Sequence, residues 1–266
     1  MEHEDQSSVS DIFLELASET RCEILSLLAE KPYRSTEISK KIDASIQETH
    51  RNTSRMTDAG LIVKDSDGFF NLTNYGRVVT KQIPYFEFFR LNKKFFEDHS
   101  VGKIPDKFIQ RIGSLKNCQK ISSVTVVLEH LKKIESSAQK ELKLMVNQAW
   151  EEEGKALIAC NKKGVKVRVI LGKDTIFPKE IIESAKKVNK NLDGKLSEQR
   201  MIESVPISLY ISHNMAGIIF PNLKGEVDMN TLLQSEDPEF RNWCEDVFEY
   251  YWSQSGRFNL EKTRIL

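Results

Sequence analysis

Apolar positions between Asp11 and Gly60 recur every three or four residues, the spacing of one helical face. Ile12 and Leu16 fall on a first helix, and Ile24, Leu25, Leu27 and Leu28 on a second, with Thr20 and Glu23 at the spacing of a capping box for its start. "RSTEISKKID" predicts a third, short helix that Ser35 is placed to cap and that buries Ile38 and Ile42. Ser45 and Glu48 repeat the capping-box spacing, so a fourth helix starts near Ile46 and stops near Gly60, where glycine can take the left-handed conformation. The period then changes to two. "LIVKDSDGFFNLT" is a pair of short apolar runs around Asp67-Gly68, which predicts a β-hairpin. Short helices followed by a hairpin predict a winged helix-turn-helix over residues 11–74.

Residues 75–98 continue in helical pattern but are unusually aromatic: Tyr85, Phe86, Phe88, Phe89, Phe95 and Phe96 alternate with Glu87, Arg90, Lys93 and Lys94. Pro84 should kink or divide the helix, because it lacks an N–H and its ring clashes with the preceding turn. One helix cannot hide so many rings, so it must pack on a second domain, on a partner subunit, or on both. A connecting and dimerisation helix over 75–100 is the expectation; a membrane-surface helix is disfavoured by the interspersed acids. Helices and strands alternate beyond it. A helix at 124–138 leads to "KELKLMVN", a helix at 151–163 leads to "VKVRVILG", and strands follow in "VPISLYIS" and "AGIIF". "DPEFRNWCEDVFEYYW" closes the pattern, with Asp237 as cap, Pro238 at the first helical position and Phe240, Trp243, Cys244, Val247, Phe248 and Tyr251 as a broad buried stripe. The fold class is therefore mixed: a winged helix (α+β), an aromatic connecting helix, and an α/β domain over 101–256.

Composition narrows the functional classes only a little. Lys plus Arg equals Asp plus Glu at 39 each, so any nucleic-acid binding must rest on a local patch. Residues 31–81 are mildly basic, with nine Lys or Arg against six Asp or Glu. The four cysteines, Cys22, Cys118, Cys160 and Cys244, are far apart and have no neighbouring His at ligand spacing, which argues against disulfides and a zinc knuckle and for buried thiols. No cofactor or metal is expected. The polar, acidic start "MEHEDQSSVS" is no signal peptide, and no apolar run long enough to span a bilayer occurs, so a soluble cytoplasmic protein with no membrane partner is expected.

The fourth helix raises the sharpest question of function. At about 100° per residue, Ile46, Thr49, Thr53, Met56 and Gly60 fall on one side and Gln47, Arg51 and Ser54 on the other, with His50 and Arg55 flanking them. Arg can bridge O6 and N7 of guanine, Gln can bridge adenine, and Ser or His can reach bases or phosphates. A solvated polar face would be the plainer account of a lone helix. Here a preceding short helix, the apolar "AGLI" exit and an immediate hairpin are the parts that hold such a helix in a major groove. Ser35, Thr36, Gln47, His50, Arg51, Ser54, Arg55 and Lys64 are the candidate DNA contacts. Asp65 and Asp67 at the hairpin tip would be repelled by phosphate, so the wing should stay shallow.

The runs "LELASETRCEILSLLAEK", "QETHRNTSRMTDAGLI" and "DGFFNLT" resemble archaeal winged-helix transcriptional regulators of the ArsR and TrmB kind. "GVKVRVILG", "VPISLYISHNMAGIIF" and "DPEFRNWCEDVFEYYW" are similar to the phospholipase-D-like domain of methanogen regulators of the filamentous-growth type and of sugar-responsive TrmB regulators. The resemblance implies a homodimeric regulator that binds a double-stranded DNA operator and whose second domain dimerises or senses a small-molecule effector. Phospholipase-D enzymes carry H-x-K-x-x-x-x-D, with His as nucleophile and Lys gathering the phosphate charge. His213 stands here with Met215 at the Lys position, so the electrostatic stabilisation of a phosphorane is missing and no enzyme is expected. His213 and Arg200 remain as candidate effector contacts. The rival readings are a phosphodiesterase with an accessory DNA-binding domain, and a winged helix that binds protein rather than DNA.

Overall fold

Helix starts in the N-terminal part are fixed by local hydrogen bonds that satisfy otherwise orphaned N–H groups. Helix α1 (Val9–Leu16) is followed by α2 (Glu19–Glu30), whose cap is Ser18, accepting from the Arg21 N–H at 3.4 Å. The expected Thr20–Glu23 box does not form, because the chain turns two residues earlier and the Thr20 hydroxyl donates to Glu48 instead. Likewise Ser35 does not cap α3 (Ser35–Lys41). It is the first helical residue, Arg34 takes the cap position, and the Glu37 carboxylate accepts from the Arg34 N–H at 2.8 Å. Ser45 does cap α4 (Ile46–Asp58), accepting from the Glu48 N–H, and Gly60 leaves the helix at φ +69°.

Strands β1 (Tyr33–Arg34), β2 (Ile62–Lys64) and β3 (Phe69–Leu72) form a sheet in the order β1-β3-β2, with Gly68 at φ +85° in the hairpin turn. Ile24, Leu25, Leu28, Ile38, Met56, Leu61, Ile62, Phe70 and Leu72 bury one core beneath α2, α3, α4 and the sheet. This is a winged helix-turn-helix. The chain leaves it through α5 (Asn74–Thr80), where the Thr73 hydroxyl caps Gly76 N–H and also donates to the Gly60 carbonyl. Gly76 sits so close to the Leu61 carbonyl that a Cβ there would lie 1.8 Å from its oxygen.

The expected long aromatic helix is divided into α5, α6 (Ile83–Leu91) and a 3-10 turn at Phe95–Glu97, with Pro84 in the first turn of α6. The structure, a computed structural model, describes residues 8–148, 151–177, 196–259 and 264–265. The chain splits into two compact units between Phe86 and Glu87. No helix of the described residues is long and apolar enough to cross a membrane.

The second unit is built on a mixed sheet. Its strands are β4 (Gln119–Ser122), β5 (Glu141–Gln148), β6 (Lys166–Phe177), β7 (Ser197–Ile202), β8 (Ser208–Ile211), β9 (Ala216–Ile219), β10 (Thr231–Ser235), β11 (Gly256–Arg257) and β12 (Arg264–Ile265). Their order is β11-β7-β6-β5-β8-β9-β10-β4, with β12 beside β6. β5, β6 and β7 are mutually parallel, while β8, β9, β10 and β4 continue antiparallel. After the short α7 (Asp106–Ile109), helices α8 (Val124–Ser137) and α9 (Glu151–Lys162) cover one face, burying Leu142, Leu144, Val146, Val167 and Val169. The C-terminal helix Pro238–Gln254, capped by Asp237, covers the other with Phe240, Trp243, Cys244, Val247, Phe248 and Trp252. With both faces covered, β5 reads as a continuous apolar run rather than an alternating one. Lys143 interrupts it, and its buried ammonium is matched by Glu141, Glu245 and Glu249.

Candidate nucleic-acid interface

Helices α3 and α4 are joined by a tight turn in which Asp43 takes φ +50° and the Ala44 N–H donates to the Ser39 carbonyl. α4 then buries Thr49, Thr53 and Met56 at 1% exposure or less. The Thr53 hydroxyl donates to the His50 carbonyl, but the buried Thr49 hydroxyl has no partner among the described residues. Burial on one side leaves Gln47, His50, Arg51 and Ser54 exposed together on the other, the side the helical period assigns to them. Thr36, Lys40 and Lys41 are exposed on α3, whereas Ser35 is partly covered.

One helix position departs from expectation. Ile46, expected on the buried side, is 63% exposed: it is the first residue of α4, where the chain has not yet turned onto the core. Arg55, expected to flank the reading face, is exposed there and is also held by the Glu15 carboxylate of α1, with its Nε 2.9 Å from both oxygens. That bond raises the Arg55 pKa further above its ordinary value. Glu15 also pairs with Arg21, whose guanidinium donates to the Leu14 and Glu15 carbonyls, so α1 is fastened across α2 and α4.

The wing presents Lys64, exposed and 5.6 Å from the Phe70 ring centre. Asp65 does not simply project its charge. Its carboxylate accepts from the Asp67 and Phe69 N–H groups and from the Asn71 amide, which makes it the structural element of the turn. The pairing of Arg34 with Phe69 adds an exposed cation over the Phe69 ring at 4.6 Å. Arg34 escaped sequence reading because only strand pairing, invisible in a two-residue strand, brings it beside the wing.

In the second unit the two expected effector contacts are not brought together. Arg200 lies on β7 and His213 follows β8, with β6 and β5 between them. Arg200 stacks over Trp252 at 4.3 Å, pairs with Glu198 and donates to the Trp252 carbonyl, so it serves packing. The His213 carbonyl accepts from Arg241, and its shielded Nδ1 has no partner among the described residues. Met215 at the signature's Lys position is 3% exposed in the core, and Phe220, at the position of its Asp, is 1% exposed. Neither position can carry charge to a phosphate. A groove of 340 Å³ lined by Lys107, Phe108, Arg111, Asp246 and Tyr250 contains neither Arg200 nor His213.

The aromatic residues expected to seek a partner subunit are largely used within the second unit. Phe88 is fully buried, Phe95 and Phe96 pack edge-on against Phe220, and Phe95 stacks on His99 at 3.9 Å. His99 is itself clamped between Asp98 and Asp228. Sequence pattern gave no sign of the acid pair formed by buried Glu135 of α8 and half-buried Glu153 of α9. Desolvation pushes Glu135 up to about 8, and burial together with the Glu135 charge pushes Glu153 well above the carboxylate range despite a hydrogen bond from Tyr210.

Comparison with known proteins places both units. Residues 9–91 match the family model of the HVO_A0261 N-terminal domain, and residues 123–254 match that of the middle domain of methanogenesis regulatory protein FilR1. Among solved structures, TrmBL2, described as an archaeal chromatin protein with a novel mode of DNA binding, aligns over 94% of this chain and 100% of its own at 13% identity, with a TM-score of 0.43. The phospholipase D family member Nuc from Salmonella typhimurium aligns over 54% of this chain and 98% of its own at 14% identity and a TM-score of 0.41. NucT from Helicobacter pylori aligns over 53% and 99% at 13% identity and a TM-score of 0.43. At these values the structural likenesses carry no argument about function. Curated protein sequences give no match. The chain thus matches two family models in turn, the HVO_A0261 N-terminal domain along the winged helix and the FilR1 middle domain along the mixed sheet.

Proposed function

We propose that this protein is a sequence-specific transcriptional regulator that reads double-stranded DNA with α4 and does not use its second domain as an enzyme. The observation that carries the reading is the exposed set Gln47, His50, Arg51 and Ser54 on a helix whose opposite side is sealed into the core. Such a helix can enter a major groove without unfolding anything, and its side chains match the edges of guanine and adenine. Lys40, Lys41, Lys64 and Arg34 surround it as phosphate contacts, which supply affinity but not sequence preference. The functional division is a reader over 11–74, a connector over 75–100 and an effector domain over 101–256, acting in the cytoplasm. Apolar side chains left exposed on α1 and α6, Val9, Phe13 and Phe86, support assembly as a homodimer on two half-sites. A small-molecule effector would act by preferring one dimer arrangement over another. The non-catalytic assignment rests on buried Met215 and Phe220 in place of the Lys and Asp of the phospholipase signature. Enrichment of bound sequences from a random duplex pool, followed by recovery of bound chromosomal DNA from the native cell, tests the proposal. A shared motif in both is expected, and the absence of any enriched sequence overturns it.

A further inference from the structure

We infer that Ile46 reads a thymine methyl group, so that each half-site carries a T at the step facing the start of α4. This rests on the DNA-reading role proposed above. Ile46 is 63% exposed, and the exposed residues that follow it on the same helix, Gln47, His50, Arg51 and Ser54, are all polar. Its place is fixed from both directions. Ser45 caps the helix by accepting from the Glu48 N–H at 3.1 Å, and Thr49 one turn on is wholly buried, so the Ile46 backbone cannot slide along the groove. The first turn of a recognition helix is the part that comes nearest base edges in this class of reader.

The side chain itself narrows the target. Ile has no hydrogen-bonding group, and of the major-groove base edges only thymine presents an apolar one, its C5 methyl. A β-branched residue in a helix has essentially one χ1 setting, so Ile46 loses little freedom on contact. Its neighbour Gln47 has the chemistry for adenine, and the two together fit an A·T-containing step, with Arg51 one turn further on suited to guanine. Burying the equivalent of about one methyl group, the one that deoxyuridine lacks, corresponds to a roughly three- to fivefold change in affinity per half-site.

The test uses the full chain and the operator enriched from a random pool. Each thymine of the half-site is replaced in turn by deoxyuridine, which keeps pairing and removes only the methyl. Binding is titrated for the wild type, Ile46→Ala and Arg51→Ala. We expect one thymine position at which deoxyuridine weakens the wild type about three- to fivefold while leaving Ile46→Ala unchanged, and at which Arg51→Ala still responds like the wild type. Because Ile46 lies outside the core, circular dichroism of Ile46→Ala should match the wild type. Equal losses for wild type and Ile46→Ala at every position, or no loss at any, overturn the inference while leaving the DNA-reading role intact. A wild type that enriches no sequence removes the DNA-reading role and this inference with it.

Discussion

Replacing Glu135 with Gln should make the second unit more stable above neutral pH, against the usual cost of altering a buried residue. Glu135 is 3% exposed, and burial pushes its carboxyl from 4.5 up to about 8. The folded state therefore binds this proton more tightly than the unfolded chain does. Below pH 4.5 both states hold it and nothing is lost. Between the two values the folded state must retain a proton the unfolded state has released, and stability falls by about 1.4 kcal/mol per pH unit. The cost is on the order of 3 kcal/mol at pH 7 and about 5 kcal/mol once the pH exceeds 8. Glutamine keeps the shape and cannot ionise, so the penalty should vanish, leaving half-buried Glu153 of α9 as the raised acid. All three tryptophans, Trp150, Trp243 and Trp252, follow Glu87 in the sequence and the winged helix has none, so urea unfolding followed by their fluorescence reports on the second unit. Midpoints measured at pH 5 and pH 8 should fall with pH in the wild type and fall much less in Glu135→Gln, with the curves diverging as pH rises. Taking the difference cancels Glu141, Glu249, Asp228 and Asp237, which are held below their ordinary values and lose their contribution only at acid pH. Parallel pH dependences for the two proteins, or a variant less stable at pH 8, would refute the reasoning.

Arg51→Ala should abolish preference for the enriched operator, a loss of about 1–3 kcal/mol of discrimination, while Lys40→Ala and Lys41→Ala weaken all sequences alike; gel-shift titration against specific and random duplexes separates the two outcomes. Thr49→Val replaces a buried hydroxyl that has no partner among the described residues with a methyl of the same shape, and a gain of about 1 kcal/mol in thermal unfolding is expected; a loss would show that the hydroxyl is satisfied. Gly76→Ala places a Cβ 1.8 Å from the Leu61 carbonyl oxygen, backbone against backbone, so a loss of at least about 2 kcal/mol should appear in the melting of the N-terminal unit. Purified protein should hydrolyse bis-nitrophenyl phosphate no faster than His213→Ala, since Met215 and Phe220 are sealed in the core; turnover lost only in the variant would reinstate a phosphodiesterase.

Periodicity alone was enough for the winged helix and for the spans of α4, α8, β5 and the C-terminal helix. The reason is that each buries one continuous stripe, and burial writes itself into sequence at the period of the element. The same logic placed Gln47, Arg51 and Ser54 on one exposed face, because Thr49, Thr53 and Met56 had to face the core. Capping patterns gave the right cap at Ser45 and Asp237 but not at two other helix starts: Ser18 rather than Thr20, and Arg34 rather than Ser35, hold the cap positions, since several neighbouring polar residues could cap and only the path of the chain selects one. Ile46 looked buried by period and is exposed because the core ends one turn later. Strands β4, β7 and β10 carry too few apolar residues to announce themselves and are strands because β5, β6 and β9 offer edges to pair with, directly or through one another. The Glu15–Arg55 pair spans 40 residues, and the separation of Arg200 from His213 depends on strand order. Non-local contacts of this kind leave no period in the sequence, so only the tertiary structure decides them.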